Sequence, residues 1–470
     1  MRTPDDVLAV LRSLRAADPP THGGRVLSYV YDHGRPELDE LVREAAIAFL
    51  PVNGLDPTTF TSVAILERDL VAFSREVLRG GSDVVGSVTS GGTESCLLAV
   101  KSARDIWRGG HRGAGRRATL VMPTTAHPAF RKAAHYLDLT LVEVPVEAGT
   151  GVVDAERLLR AVDDVPTGGA PPALVVVSAP SYPFGVLDPV AEVAAGAASR
   201  GVPVHVDACI GGWLLPWWPG ETPAWDFAVS GVTSISTDLH KYGYAPKGAS
   251  VVLYRGRERH RAQYFATADW PGYPVVNPTV LGSRSATALA AAWAVVQVLG
   301  PSGYAELVGR TASATQRVRE VVGEIRGLCV FGHPAAGLLA VVADHGVAPQ
   351  DRVDPFVLVD RARELGWLLQ GQPALTQSDG TVLPRTAHLT LTAVTADVVE
   401  ELGAALVAAA DAARGLPAPA PDRSLIASVA EHGLPTELAG VMSTLEALDT
   451  RLVPDLLIQL LAAVIDPDVA

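Results

Sequence analysis

Three short motifs carry side chains that could bind an anion and form an imine. The first is Thr89–Ser95, with the sequence TSGGTES, which precedes an apolar helical segment. A glycine pair that opens a helix leaves backbone N–H groups free at the positive end of the helix dipole, which suits a phosphate. Thr93 and Ser95 add hydroxyl donors. Taken alone, the motif is also open to a second interpretation, an ordinary capped turn between a strand and a helix.

The second and third motifs supply a carboxylate and an amine. Asp207 ends the strand-like segment Pro203–Val206, although a lone aspartate at a strand end is more often a helix cap or a metal ligand. Lys241 follows thirty-four residues later, beside His240 in a glycine-rich context. Burial would lower the pKa of its amine, as imine chemistry requires. A lysine on a surface loop is the alternative.

The order of the three motifs favours one cofactor. A phosphate-binding helix start, an acidic strand end and a lysine, in this order on an α/β sheet, form a site for pyridoxal 5′-phosphate. In such a site, donors of the Thr93 type hold the phosphate, Asp207 pairs with the pyridine nitrogen and Lys241 forms the imine. The sequence therefore predicts a pyridoxal 5′-phosphate site built from all three motifs.

The segments around the motifs predict a doubly wound α/β fold. From about residue 84, helical stretches separate short β-branched runs, which are Ala118–Val121, Thr140–Val144, Leu174–Val177, Pro203–Val206, Val232–Ile235 and Ser250–Tyr254. Such alternation indicates a mostly parallel sheet with helices on both faces. Ligands of these sheets bind beyond the carboxyl ends of the strands, so the motif residues are expected to meet there.

Changes in pattern along the chain predict four parts. Residues 1–80 form an N-terminal helical segment, 81–310 the large cofactor-binding domain and 311–414 a smaller α+β domain. Residues 415–470 form a stiff, proline-rich linker and a helical tail. Between residues 285 and 305 the chain carries no charge, and its alanine content predicts a buried helix rather than a membrane span.

The composition excludes several classes of protein. With 470 residues and 48% hydrophobic content the chain can bury a large core, which excludes disordered and small disulfide-rich proteins. Its 38 basic and 51 acidic residues leave a net charge of −13, which argues against nucleic-acid or anionic-membrane partners and favours small molecules. The three cysteines, Cys96, Cys209 and Cys329, show neither disulfide nor metal-site spacing. We therefore expect no metal, and a cytoplasmic protein without a secretory signal.

Four segments resemble the sphingosine-1-phosphate lyase family, within the group II amino-acid decarboxylase lineage. They are Thr89–Leu98 (TSGGTESCLL), His205–Leu215 (HVDACIGGWLL), Ser234–Gly248 (SISTDLHKYGYAPKG) and Ala268–Arg284 (ADWPGYPVVNPTVLGSR). The resemblance covers residues 24 to 310 well and the C-terminal domain more loosely. It implies a fold-type I pyridoxal phosphate enzyme that forms homodimers with shared active sites, of the soluble bacterial type without a membrane anchor.

The resemblance implies a role for each residue of the cofactor site. Lys241 matches the lysine that bonds to the cofactor, Asp207 the aspartate that protonates the ring nitrogen, and His127 the histidine stacked on the ring. Positions that hold the cofactor phosphate match Gly92, Thr93, His240 and, from the neighbouring subunit, Ser283. Without the resemblance, His127 would be interpreted as an ordinary loop histidine.

The substrate side matches the family unevenly. Positions that the family uses around the substrate phosphate match Tyr31, Asn53 and Lys247. Three family residues are replaced, one histidine by Asp56, a second histidine by Phe184 and a C-terminal tyrosine by a residue near Ala427. Asp56 either repels a substrate phosphate, so that an amine, guanidine or hydroxyl terminus is preferred, or caps the turn before Pro57. The first alternative predicts a substrate that has diverged from a sphingoid phosphate.

The resemblance implies a carbon–carbon lyase that cleaves a 2-amino-3-hydroxy substrate by retro-aldol chemistry. Such a lyase breaks the Cα–Cβ bond after a base takes the 3-hydroxyl proton. An L-amino-acid decarboxylase, which breaks the bond from Cα to the carboxylate, is the alternative because it uses the same cofactor residues. A non-catalytic protein that binds the cofactor is a third hypothesis, which the presence of Lys241, Asp207 and His127 disfavours.

Overall fold

A computed structural model of the chain describes residues 2–110, 117–165, 171–422, 424–425, 435 and 437–467. A seven-stranded sheet forms its centre. The strands are β1 (Val84–Thr89), β2 (Thr119–Pro123), β3 (Thr140–Val144), β4 (Leu174–Ser178), β5 (Val204–Asp207), β6 (Val232–Thr237) and β7 (Ser250–Arg255). Their order is β1-β7-β6-β5-β4-β2-β3, and only the pairs that include β7 are antiparallel. The mostly parallel sheet predicted from the alternation is thereby confirmed.

The two faces of the central sheet pack against different layers. In β4, Val175 and Val177 belong to one buried apolar cluster, whereas Leu174 and Val176 belong to another. Because successive side chains of a strand point to opposite faces, this division means that both faces are covered. The continuous apolar runs of the sequence follow from burial on both sides.

Helices surround this sheet and lead into a long connecting helix. They are α1 (Pro4–Ala16), α2 (Pro36–Phe49), α3 (Thr61–Val77), α4 (Gly92–Gly110), α5 (Pro128–Leu137), α6 (Ala155–Asp163), α7 (Val190–Ser199), α8 (Arg257–Gln263) and α9 (Thr287–Glu324). Short 3₁₀ turns at Gly211–Trp213 and Leu215–Trp217 follow β5, and strands β8 (Phe265–Thr267) and β9 (Val275–Asn277) form a hairpin after α8.

Helix α9 contains the charge-free stretch of the sequence. Among the described residues it is the one helix long and apolar enough to cross a membrane, and half of its most apolar window is buried inside the protein. Gly300, with a φ of 52°, interrupts the helical backbone just before Pro301. Since proline has no N–H to continue the hydrogen-bond ladder, the helix bends there. The buried helix predicted between residues 285 and 305 is therefore the first half of α9.

The C-terminal part has its own antiparallel sheet. Its strands β10 (Leu328–Val330), β11 (Leu338–Ala343), β12 (Gln370–Gln372) and β15 (Thr386–Thr390) are ordered β10-β11-β15-β12, and β13 (Leu375–Thr376) pairs with β14 (Val382–Leu383). Helices α10 (Pro355–Glu364), α11 (Thr395–Ala413), α12 (Ala439–Ala447) and α13 (Val453–Ile465) accompany it. This mixture of antiparallel strands and helices is the α+β arrangement expected from the sequence.

A segment near the N-terminus packs with this second sheet. The backbone N–H of Leu27 donates to the carbonyl of Leu368 at 2.8 Å, and Thr390 N–H donates to the carbonyl of Leu27 at 2.7 Å. The Leu27 side chain is buried in the C-terminal apolar cluster. The backbone at Leu27 therefore links the N-terminal region of the chain to the C-terminal sheet.

Candidate active site

A cavity of about 390 Å³ lies at the carboxyl ends of β4 and β5, beside the first turn of α4. Six predicted cofactor residues line it, namely Gly92, Thr93, His127, Asp207, His240 and Lys241. They come from separate parts of the chain, and the sheet brings them together because its parallel strands end at one edge. The structure thus collects the predicted phosphate, ring and lysine positions around one space.

Asp207 is the last residue of β5 and stands in the cavity wall. In the register of the sheet it lies beside Ser178 of β4 and Ser236 of β6. Its side chain is buried, and its Oδ1 accepts a hydrogen bond from the backbone N–H of Cys209 at 3.1 Å. This bond ties the carboxylate to the turn after the strand. A carboxylate held in this way can pair with a protonated ring nitrogen and favour its charged form.

Lys241 forms an ion pair that the sequence-based interpretation did not include. Its Nζ lies 2.9 Å from Oδ2 of Asp238, whose side chain is 1% exposed. Burial by itself would lower the pKa of Lys241, but the negative charge of Asp238, with contributions from other neighbouring groups, raises this pKa well above its usual range. The lowered pKa expected from the sequence is therefore wrong. The available signal was the position of Asp238 three residues before the lysine.

The first turn of α4, for which the sequence predicts a phosphate cradle, lies at the cavity. At Gly92 a Cβ atom would lie 2.7 and 2.8 Å from the carboxylate oxygens of Asp238 and 2.9 Å from the sulfur of Cys209, so glycine alone fits without a shift. Nδ1 of His240 is buried and has no hydrogen-bond partner among the described residues. Thr93 is exposed at the cavity edge. An unpartnered ring nitrogen beside a glycine-opened helix start fits a bound phosphate group.

His127 caps helix α5 and faces the same cavity. Its Nδ1 accepts a hydrogen bond from the backbone N–H of Ala129 at 3.2 Å, which assigns the ring proton to Nε2. Burial lowers the pKa of His127, and the charge of Asp207 opposes this effect only in part. The imidazole is thus neutral at physiological pH. A neutral planar ring that is fixed by a hydrogen bond at its Nδ1 suits stacking on a planar cofactor.

Two of the predicted substrate residues lie close to Lys241. Tyr31 packs edge-on against Tyr242 with ring centroids 5.1 Å apart, and Nζ of Lys247 lies 4.8 Å from the centroid of the Tyr31 ring. Burial raises the pKa of Tyr31 to about 12, although the charge of Lys241 lowers it in part. Burial and repulsion from Lys241 lower the pKa of Lys247 to about 8. Lys247 Nζ also donates to the carbonyl of His240 at 3.1 Å.

Asn53 and Ser283 form a second group outside the residues that line the cavity. Nδ2 of Asn53 donates to Oγ of Ser283 at 3.5 Å, and Asn53 forms an isolated antiparallel bridge with Ser285. Ser283 is exposed. Within one chain these two residues therefore meet each other rather than Lys241.

Asp56 caps its own turn, as in the second alternative raised from the sequence. Its Oδ1 accepts from the backbone N–H of Thr58 at 2.8 Å and from the Thr58 hydroxyl at 2.6 Å. Its Oδ2 accepts from the Thr59 hydroxyl at 2.9 Å. These bonds, that with the Thr58 side chain first, lower the pKa of Asp56 to about 2. Both oxygens of this exposed carboxylate are engaged locally, so this chain does not direct Asp56 into its own cavity.

Phe184, which stands where the family has a histidine, belongs to the core. It is buried, and its ring centroid lies 4.6 Å from that of Phe331. Because the Phe184 ring is apolar and packs against Phe331, it fills space in the core and offers no polar group to the cavity. The position near Ala427, where the family has a tyrosine, lies outside the described residues.

Tyr182 is a cavity residue that the sequence did not reveal. Its hydroxyl donates to Oε1 of Gln370 at 2.7 Å, and Nε2 of Gln370 donates to the hydroxyl of Tyr29 at 2.8 Å. The ring centroids of Tyr182 and His388 lie 4.5 Å apart. Burial raises the pKa of Tyr182, so its phenol is neutral. These partners are far apart in the chain, and no local spacing indicates that they meet.

Gly92→Ala is expected to weaken binding of pyridoxal 5′-phosphate by about 5- to 150-fold. A methyl group forced into packed space costs about 1–3 kcal/mol, and each 1.4 kcal/mol is a factor of ten in affinity. The added Cβ would overlap Asp238 and Cys209 and displace the start of α4. Titration of the cofactor-free protein, followed by cofactor absorbance, measures the effect.

Gly109→Ala is the matched control for this change. Gly109 lies in the same helix, and a Cβ added there has no atom within 4 Å. Its cofactor affinity should equal that of the unaltered protein. Equal affinity for both variants would contradict the assignment of the α4 start as the phosphate cradle.

The chain is similar to known pyridoxal-dependent enzymes. Residues 61–332 match the family model described as the pyridoxal-dependent decarboxylase conserved domain. The chain is 38% identical to mouse sphingosine-1-phosphate lyase 1 over 341 residues, which cover 72% of this chain but 58% of the mouse protein. It is 34% identical to the Drosophila melanogaster sphingosine-1-phosphate lyase over 417 residues, 86% of this chain and 73% of that protein.

A solved structure extends the similarity to the fold. The structure of a sphingosine-1-phosphate lyase from Burkholderia pseudomallei aligns with a TM-score of 0.79 and 33% identity, covering 88% of this chain and 92% of that one. Since this alignment covers 88% of the chain, the similarity extends beyond residues 61–332, which the family model matches.

Proposed function

Because the chain belongs to the sphingosine-1-phosphate lyase family of pyridoxal-dependent enzymes, we propose that it cleaves the Cα–Cβ bond of a 2-amino-3-hydroxy substrate. Lys241, Asp207 and His127 meet in one cavity, which supports pyridoxal phosphate chemistry of either kind. The observation that carries carbon–carbon cleavage over decarboxylation is the similarity to sphingosine-1-phosphate lyases, which for the Burkholderia pseudomallei structure is 33% identity over 88% of this chain. We propose the cytoplasm as its location, supported by three free cysteines.

Pyridoxal 5′-phosphate is the cofactor of this family, and the residues present fit it. When bound, the cofactor withdraws electrons from the bond being broken at the substrate Cα. The Gly92 cradle and the unpartnered Nδ1 of His240 would hold its phosphate, and Lys241 would attach it through Nζ. Asp207 would keep the pyridine nitrogen protonated by charge pairing.

Asp238 would act by positioning the attachment lysine. Its buried carboxylate lies 2.9 Å from Nζ of Lys241 and restrains the direction of that amine. The ion pair also keeps the amine protonated before the cofactor arrives, since it raises the pKa of Lys241. Attachment therefore requires removal of one proton from Nζ, and a weaker ion pair would make that step easier.

Tyr182 would orient the substrate hydroxyl. Its own proton is given to Gln370, so the oxygen presents acceptor lone pairs to other groups. A neutral phenol whose pKa is raised by burial is a poor base, which limits this residue to hydrogen bonding. An acceptor near Lys241 suits a substrate that offers a hydroxyl donor, in agreement with a 3-hydroxy amine.

We further propose that two copies of the chain share their active sites. The exposed group of Asn53 and Ser283 supports this arrangement, because these residues match family positions near the phosphates but meet away from their own cavity. Sedimentation equilibrium at micromolar concentration should give twice the chain mass of 49.1 kDa. A monomer with full activity would contradict shared sites.

Product analysis tests the reaction itself. The purified protein loaded with cofactor is incubated with sphingosine 1-phosphate, and separately with carboxyl-labelled L-amino acids. A long-chain aldehyde released together with ethanolamine phosphate is the expected result, because retro-aldol cleavage leaves the aldehyde on the former Cβ. Release of labelled carbon dioxide from an amino acid, without aldehyde from any 2-amino-3-hydroxy amine, would replace the lyase by the decarboxylase alternative.

Asp56→Asn separates the two roles considered for Asp56. Asparagine is also a good capping residue, so the turn is kept while the charge is removed. We expect the KM for a phosphorylated substrate to stay within about twofold, since an exposed charge is screened by salt. A KM at least tenfold lower in the variant would instead support repulsion and a substrate without phosphate. Steady-state kinetics with matched phosphorylated and unphosphorylated amines measure the difference.

A further inference from the structure

Cys96, Cys209 and Asp207 form a compact group of metal-ligand atoms. Their two sulfurs and a carboxylate oxygen all lie within 4.8 Å of one another. The relative exposures of Cys96, Cys209 and Asp207 are 1%, 7% and 7%. All three residues line the cofactor cavity, which gives a small solute access to them. The sequence shows no such site, because helix α4 brings Cys96 to the other two from more than a hundred positions away.

The two thiols have no role in the proposed reaction. The two thiols hydrogen-bond to each other, and both contact the hydroxyl of Ser236, at 3.7 Å from the Cys96 sulfur and 3.4 Å from the Cys209 sulfur. All of these contacts are weak, because sulfur is a poor donor and acceptor. The sulfur lone pairs are therefore available to a better partner.

We propose that the cofactor-free protein binds one soft divalent cation of the Zn²⁺ type through Cys96, Cys209 and Asp207. Two sulfurs and one carboxylate oxygen are suitable zinc ligands, and three protein ligands leave a fourth position open toward the cavity. Binding converts two thiols to thiolates and releases two protons to solvent, so no oxidant is needed. Because the cation takes the carboxylate that pairs with the pyridine nitrogen, metal and cofactor exclude each other.

The distances are close to those that zinc requires. Zinc–sulfur bonds of about 2.3 Å place two sulfurs about 3.8 Å apart in a tetrahedral site. The ligand atoms of the three residues lie within 4.8 Å of one another, so they are within about 1 Å of the zinc geometry. Small side-chain rotations can supply this difference. Two thiolates and a carboxylate leave one net negative charge around the ion. The ammonium of Lys241 offsets it, since the charges of Cys209 and Asp207 act on this lysine.

Titration of the cofactor-free protein with Zn²⁺ tests the proposal directly. Calorimetry in two buffers of different ionisation enthalpy, with a phosphine reductant present, should give one ion per chain and up to two protons released. Cys96→Ser and Cys209→Ser should each weaken binding at least about a hundredfold, because each removes a ligand. Cys329→Ser is the matched control, since Cys329 lies on β10 outside the cavity-lining residues. Its affinity should be unchanged.

Three results would overturn the proposal. The first is no saturable zinc binding by a folded protein whose thiols are shown to be reduced. The second is binding that survives both Cys96→Ser and Cys209→Ser. The third, which concerns the competition alone, is equal zinc affinity in the cofactor-loaded protein. All three results are measurements of zinc binding. They are therefore independent of the product analysis that tests the lyase reaction.

Discussion

Lys241→Ala is expected to lower turnover by about 10⁴-fold or more, as when a covalently acting group is removed from an enzyme. The chain has four lysines, and only Lys241 has its amine in the cavity wall beside Asp238. The amine of Lys101 is held by Asp105 and two backbone carbonyls. Steady-state kinetics and the visible absorbance of the bound cofactor measure the loss.

Reductive labelling provides the direct observation. Borohydride treatment of the cofactor-loaded protein should fix the label on Lys241, located by peptide mapping. Lys132→Ala is the control, because Lys132 is exposed and lies 5.4 Å from the centroid of the Tyr136 ring. It should keep full activity and full labelling. Label on Lys247, or on no lysine, would show that the attachment site is wrong.

Asp207→Asn is expected to lower kcat by about 10²–10³-fold while the fold is kept. Such a loss is typical when one charge-stabilising group is removed from an active site. The amide is nearly isosteric, and its oxygen can still accept from the Cys209 N–H, but it carries no charge to hold the pyridine nitrogen protonated. Measurements of kcat, bound cofactor and melting temperature separate a chemical defect from unfolding.

Asp188→Asn is the matched control for this change. Asp188 is a buried neighbour whose Oδ2 accepts from the Ser178 N–H at 2.7 Å, outside the residues that line the cavity. Burial raises the pKa of Asp188 to about 7, so much of it is already neutral near pH 7. Its kcat should change by no more than about threefold. If Asp207→Asn retained full turnover with cofactor bound, the partner of the ring nitrogen would lie elsewhere.

The fold class and the cofactor side of the cavity could be predicted from the sequence alone. Alternating β-branched runs and helical stretches indicate a parallel sheet because strand and helix periods are local properties of the chain. Asp207 and Lys241 each follow one of these runs, and the carboxyl ends of parallel strands meet at one edge. Gly92 follows β1, which was not among the predicted runs, so its place in the site was predicted from its glycine pair at a helix start instead. Local patterns of these two kinds predict that the three residues meet.

The substrate side could not be predicted in this way. The Tyr182–Gln370–Tyr29 hydrogen-bond chain joins three parts of the molecule, and the contact depends on how the C-terminal sheet packs on the central one. Whether Asp56 faces a ligand or caps a turn depends on backbone geometry that the residue types do not specify.

Lys241 shows which properties of a residue the sequence determines and which depend on the tertiary structure. The sequence determined by itself that a lysine follows a strand end near an acidic residue, and so that cofactor attachment belongs there. Only the tertiary structure decided the sign of its pKa shift, because burial and the charge of Asp238 oppose each other and their balance depends on a distance of 2.9 Å. The same holds for Cys96 and Cys209, which are unrelated by spacing but brought together by α4 and β5. Motifs are properties of the chain, whereas electrostatics and ligand geometry are properties of distances between its parts.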